Sequence, residues 1–199
     1  LFIDAHERKS SLKTSTDYIG YFPTKAGLET MLYVHKGSKL QTTDHQLLEF
    51  YANNIALAYD NLKLREMVKE SQKELSYILG EAVEKRSKET GSHVKRVALY
   101  SELLAKLSQL SPFQCEIIKL ASPLHDIGKI SIPDSILNKP GKLTDEEWKI
   151  MQTHAEVGYE ILKNSSNEIL TCGALISYQH HEKWDGSGYP QGLIGNEIN

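Results

Sequence analysis

The chain has 199 residues, 40% of them apolar, and a formal charge of −3 at pH 7. That is room for one full domain, or one domain and part of another, and the charge leaves no basic footprint for polymeric DNA or RNA. Its two cysteines, Cys115 and Cys172, stand far apart inside apolar helical patterns, which suggests neither a disulfide framework nor a thiolate zinc site and fits a reduced, cytoplasmic protein.

Residues 1–43 carry strand signals. Runs at 18–22 and 28–35 flank Pro23-Thr24-Lys25-Ala26-Gly27, which predicts a β-hairpin. A lone hairpin buries too little surface to stand by itself, so it is expected to be the tail of a larger sheet-containing domain. The opening Leu1-Phe2-Ile3, without an initiator Met, agrees with a fragment.

Thr42-Thr43-Asp44 then offers an N-cap, and Leu47, Tyr51, Ile55, Ala58 and Leu62 recur at spacings of three and four. A long connecting helix is expected over 44–84. It meets no Gly or Pro before Gly80, and its wholly polar stretch at 69–74 is expected to bridge solvent. Such a helix serves to transmit a signal, as a rigid spacer, or as a homodimer contact. From residue 85 to 199 the pattern is helical, at 93–108, 112–125, 144–163 and about 167–181. Thr144 with Glu147 forms a capping box, and Pro112 suits a first helical turn. The loops at 130–142 and 182–196 are rich in Gly, Pro, Asn and Asp, where sites usually sit. No stretch approaches the ~20 apolar residues of a membrane span.

Five of the eight histidines fall between positions 93 and 181, whereas His6, His35 and His45 are scattered. Imidazole and carboxylate are the ligands of iron, manganese and zinc in hydrolytic centres. Glu89 and His93, four apart, share one face of a helix that includes both; this is ligand spacing, and also the spacing of a surface hydrogen bond. His125-Asp126 ends an apolar helical face and is expected to be buried. A buried Asp there needs a cation or a salt bridge, and Lys129 is the candidate for the latter. His154 alone reads as a satisfied half-buried histidine. His180 and His181 diverge by about 100° if helical, so both reach one site only at a helix end. The turn-forming Asp185-Gly186-Ser187-Gly188-Tyr189-Pro190 follows, with small residues that permit close approach of a ligand or another protein.

Taken in order, E-T-G-S-H, H-D-I-G-K-I-S-I-P-D, K-P-G-K-L-T and H-H-E-K-W-D-G-S-G-Y-P-Q-G-L resemble the HD-GYP family of bacterial cyclic-dinucleotide phosphodiesterases, over about 85–199. The resemblance implies a mainly α protein, an HD-type helical bundle at 85–199. Residues 1–43 look like the end of a GAF-like sensory domain, with 44–84 as the connecting helix. It further implies a cyclic dinucleotide substrate, cyclic di-GMP or 3′,3′-cyclic GMP-AMP, and a receiver domain elsewhere in the full-length protein. His93, His125, Asp126, His154, His180 and His181 match the family's metal ligands, with Asp126 as the bridging carboxylate of two divalent ions, iron or manganese. Glu89 matches a ligand of a third ion in some members. Lys129 matches the lysine that contacts the substrate phosphate. The loop of Asp185, Gly188, Tyr189 and Pro190 borders the pocket and matches one linked to partner contacts, a diguanylate-cyclase type of partner among them. The family's last metal-binding aspartate lies beyond G-L-I-G-N-E-I, so the catalytic domain is expected to be incomplete at its C-terminus. Two rival readings are a general HD phosphohydrolase of mononucleotides and a degenerate module that binds a cyclic dinucleotide or a synthetase without cleavage.

Overall fold

The computed structural model describes residues 1–23, 29–87 and 92–199. The chain forms two compact units, Leu1–Ser71 and Gln72–Asn199, and each is built around its own apolar cluster.

In the first unit a short helix, α1 (Phe2–Arg8), precedes β1 (Leu12–Lys13), β2 (Asp17–Pro23) and β3 (Glu29–His35). The strands pair antiparallel in the order β1-β2-β3, with Tyr18 opposite Val34 and Phe22 opposite Thr30. The two expected strands therefore do pair antiparallel, while residues 24–27 of the expected turn and Leu28, the expected start of the second strand, lie outside the described residues. Neither α1 nor β1 carries a periodic signal long enough to have been anticipated. Tyr18, Phe22, Leu40 and Ala52 are buried together, and Leu32, Val34, Leu48 and Ala56 pack against them. The sheet thus finds its apolar partner in the start of α2 (Thr42–Arg86), which answers the hairpin's need for a covering surface.

Helix α2 runs two residues beyond the expected span at each end, and Lys69, Glu70, Ser71 and Glu74 in its polar stretch are exposed. Gly80 does not interrupt it. A side chain there would meet the Pro123 carbonyl at 2.6 Å, so the glycine is the residue that permits close packing on the segment before His125.

In the second unit, α3 (His93–Leu107), α4 (Pro112–Ala121), α5 (Asp134–Leu137), α6 (Asp145–Leu162) and α7 (Glu168–Gln179) pack as a helical bundle. Val83, Leu124, Ile127, Leu162 and Ala174 form its centre, and Leu120, Ala121 and Ile169 extend it between α4 and α7. Each Val, Leu or Ile among them contributes roughly 1.5–3 kcal/mol on burial. The Thr144–Glu147 capping box starts α6 as expected. Helix α4, expected to reach His125, ends four residues sooner. Pro123 has no amide hydrogen to continue the ladder, so the chain tightens into a 3-10 turn, Ser122–Leu124. Among the described residues, no helix is long and apolar enough to cross a membrane.

Candidate metal centre

The early end of α4 sets the site. His125 and Asp126 occupy the joint between Ser122–Leu124 and a second 3-10 segment, Ile127–Ser131, while Leu124 and Ile127 on either side are buried in the core. A methyl at Gly128 would overlap the His154 carbonyl and crowd the Gly158 amide. The absent side chain is therefore what allows this segment to lie against α6 and brings Asp126 to His154.

Asp126, His154, His180 and His181 each present one ligand-capable atom, and these atoms lie within 4.8 Å of one another. His154 Nε2 is 3.3 Å and His180 Nε2 3.7 Å from Asp126 Oδ1, and the two nitrogens face each other at 3.3 Å. The second carboxylate oxygen is differently used: Oδ2 takes Lys129 Nζ at 2.8 Å and lies 3.1 Å from His125 Nε2. Lys129 thus forms the salt bridge considered from the sequence, but it satisfies one oxygen only. Oδ1 is buried and makes no hydrogen bond, an arrangement that costs about 1–3 kcal/mol, more for a charged group, unless a further partner is bound.

The backbone fixes which nitrogens face that carboxylate. His125, His154 and His180 place Nδ1 at 3.0, 2.7 and 2.9 Å from the carbonyls of Ser122, Met151 and Ser177. A carbonyl only accepts, so each Nδ1 carries a hydrogen, and in a neutral ring that leaves Nε2 as the lone pair facing the site. Orientation of this kind is what metal-bound imidazoles require. A single proton can serve one facing pair of nitrogens; a divalent cation serves all the converging lone pairs and the orphan oxygen together. The donor set, three imidazoles and one carboxylate, suits a divalent metal ion.

Electrostatics agree. Burial lowers the His154 pKa, and burial followed by the neighbouring His180 and His154 lowers that of His181 to about 4. Both rings are therefore neutral near pH 7, the ligating form. Burial works against ionised Asp126, yet the neighbouring His125 and His180 side chains and the charges of His125 and Lys129 hold its carboxyl well below the usual range. For His125 burial again lowers the pKa, but the Asp126 bond and charge outweigh it and the net shift is upward.

The other expected residues lie around this quartet. His93, the first residue of α3, has its ring 6.0 Å from that of His125 and its Nε2 3.7 Å from the buried Glu84 carboxylate; it stands beside the four rather than among them. Glu89 falls outside the described residues. In the following loop the Asp185 carboxylate accepts from the Ser187 amide and hydroxyl at 2.9 and 2.7 Å, which shapes the turn. Gly188 lies so close to the backbone of His181, Glu182 and Lys183 that no side chain fits. Tyr189, joined to Pro190 by a cis peptide, stacks on His181 with ring centroids 4.5 Å apart and planes at 20°. It also meets Trp148 of α6 edge-on at 6.1 Å.

Three contributors were not singled out from the sequence. Glu182 closes the loop by accepting from the Gln191 and Leu193 amides at 2.7 and 3.0 Å; its place inside the H-H-E-K-W-D motif was the available signal. Glu84 and Arg86 belong to the end of α2, whose own periodicity does not reveal what it packs against.

Comparison with known proteins places this geometry. Residues 77–199 match the model of the HD domain family, and residues 1–68 match a model described only as a domain of unknown function. A 3′3′-cGAMP-specific phosphodiesterase of Vibrio cholerae is 48% identical over 192 residues, 94% of this chain and 37% of that protein. A cyclic di-GMP phosphodiesterase response regulator of Xanthomonas campestris is 46% identical over 131 residues, 66% of this chain and 35% of that protein. A cyclic di-GMP phosphodiesterase of Thermotoga maritima is 49% identical over 125 residues, 63% and 34% respectively. The chain spans about a third of the length of these curated relatives. With the motif order and the family match covering the same helical unit, the chain belongs to the HD domain family, as its HD-GYP-like motifs imply.

Proposed function

We propose that this chain carries the catalytic part of a metal-dependent phosphodiesterase that hydrolyses a bacterial cyclic dinucleotide, cyclic di-GMP or 3′,3′-cyclic GMP-AMP, to the linear dinucleotide. The observation that carries the reading is the buried Asp126 Oδ1, without a hydrogen bond, facing imidazole nitrogens whose tautomers the backbone sets. The names of the relatives supply the substrate class.

His93, His125, Asp126, His154, His180 and His181 would hold two divalent ions, iron or manganese, and Glu89 a third. When bound, such ions supply Lewis-acid charge and a water of lowered pKa as the nucleophile. The chain's own residues do the rest. Lys129 Nζ, 2.8 Å from Asp126, is the cation positioned for a non-bridging phosphate oxygen, where charge grows as the ester bond breaks. Tyr189 covers one face of His181 and holds that ring in place. Gly188 keeps the loop flat against the backbone after His181, leaving the pocket side of the Asp185–Pro190 turn to the substrate or a diguanylate-cyclase-type partner.

In this reading the first unit is the end of a GAF-like sensory region. Residues 44–84 connect it to the catalytic domain at 85–199, and a receiver domain belongs to the same full-length cytoplasmic protein. A homodimer is formed through α2. Incubating the purified, manganese- or iron(II)-loaded protein with each cyclic dinucleotide under reducing conditions should yield linear dinucleotide on chromatography. Unchanged substrate with metal fully bound would favour a module that binds without cleaving. Faster hydrolysis of mononucleotides would favour a general HD phosphohydrolase.

A further inference from the structure

The last third of α2 follows the His125-Asp126 segment along its length. The Ser76 hydroxyl donates to the Leu120 carbonyl, Gly80 lies against the Pro123 carbonyl, and Val83 packs with Leu124 and Ile127. Arg86 completes the series. Its Nη1 donates to the Lys129 and Ile130 carbonyls at 3.0 and 2.6 Å, its Nη2 to the Ile132 carbonyl at 2.7 Å, and its Nε to Asp134 Oδ1 at 3.0 Å. Nη2 is also 3.0 Å from the same Asp134 oxygen. The guanidinium thus donates four hydrogen bonds, three of them to backbone carbonyls between residues 129 and 132, and the Asn138 side chain donates back to the Arg86 carbonyl at 3.1 Å. Lysine has neither the number of donors nor the planar fork for this pattern.

Lys129 is therefore held at both ends, its carbonyl by Arg86 and its Nζ by Asp126. We propose that Arg86 is a positioning residue for the phosphate-binding lysine: by clasping the 129–132 backbone it fixes the direction in which Lys129 enters the site. The proposal rests on the phosphodiesterase reading for the role of Lys129. Among the described residues, the hydrogen bonds of the Arg86 side chain go to Lys129, Ile130, Ile132 and Asp134 rather than to the metal-site histidines or Asp126.

A double-mutant cycle of Arg86→Lys and Lys129→Ala tests it, read in two ways on manganese-loaded protein: affinity for inorganic phosphate by calorimetry, and rate of cyclic di-GMP opening. Arg86→Lys should weaken phosphate binding and slow turnover by between about ten- and a hundredfold, with manganese content unchanged. In the Lys129→Ala background the same substitution should do nothing more, because the group it positions is gone. Losses that multiply, an unaffected single variant, or loss of manganese in parallel would overturn the proposal. So would a wild-type protein to which phosphate does not bind. If Arg86→Lys does not fold, Arg86→Gln, which keeps one amide for the loop carbonyls, enters the cycle in its place. Phosphate binding needs no turnover, so a wild type that binds phosphate but leaves the dinucleotide intact contradicts the activity and still leaves the cycle readable.

Discussion

At Asp126 the two carboxylate oxygens are put to different uses, and the distinction decides between a structural ion pair and a metal site. Lys129 and His125 attend to Oδ2, whereas Oδ1 is left to imidazole lone pairs. Tyr189 supports the same site from outside through its stack on His181. Tyr189→Ala should therefore weaken manganese affinity by about 0.5–1.5 kcal/mol, the usual worth of such an aromatic pair, read by calorimetry, while Tyr189→Phe keeps it. Asp17 is the corresponding residue of the first unit. Hydrogen bonds from the Thr16 hydroxyl, Tyr33 and His35, with Thr14 also contributing, hold its pKa well below the usual carboxylate value. A folded value lower than the unfolded one of about 3.9 means the stabilisation is complete above that pH and is lost as the pH falls further. Asp17→Asn should accordingly be less stable at neutral pH and show a shallower loss below about pH 4 than the wild type, in urea unfolding followed across pH.

Among the elements, the 3-10 segment Ile127–Ser131 and α6 are the pair whose distance fixes the site. Gly128→Ala would force the His154 backbone away. The overpacking should cost about 1–3 kcal/mol in thermal unfolding and lower metal affinity as well. Thr144→Ala, by contrast, removes only the capping box and should cost about 1 kcal/mol with metal affinity unchanged. The elements also show where sequence reading reaches its end. Periodicity located α3, α6 and α7 and capping residues marked the start of α6, because those signals are local. The end of α4 was misplaced because the apolar face of Ile117, Ile118, Leu120 and Leu124 continues past Pro123 while its backbone hydrogen bonding does not. His154 read as an ordinary half-buried histidine, since its partners lie 26 or more residues away in sequence and only the fold, or the family resemblance, supplies them. Arg86 was invisible for the same reason: its hydrogen bonds span more than 40 residues.

For the whole molecule, the two units have separate cores, and all the residues of the quartet, with His93, His125 and Lys129, belong to Gln72–Asn199. A fragment of residues 72–199 should therefore bind manganese as tightly as the entire chain, in parallel calorimetric titrations; an affinity that depends on the first unit would show that the site is completed from outside its own bundle. The central claim is that Asp126 and its imidazoles form a metal centre, and manganese titration of wild type against Asp126→Asn measures it most directly, because asparagine keeps the shape and removes the charge. The account predicts saturable binding by the wild type and affinity at least about tenfold weaker in the variant. Equal binding by both proteins, or none by the wild type, would contradict it.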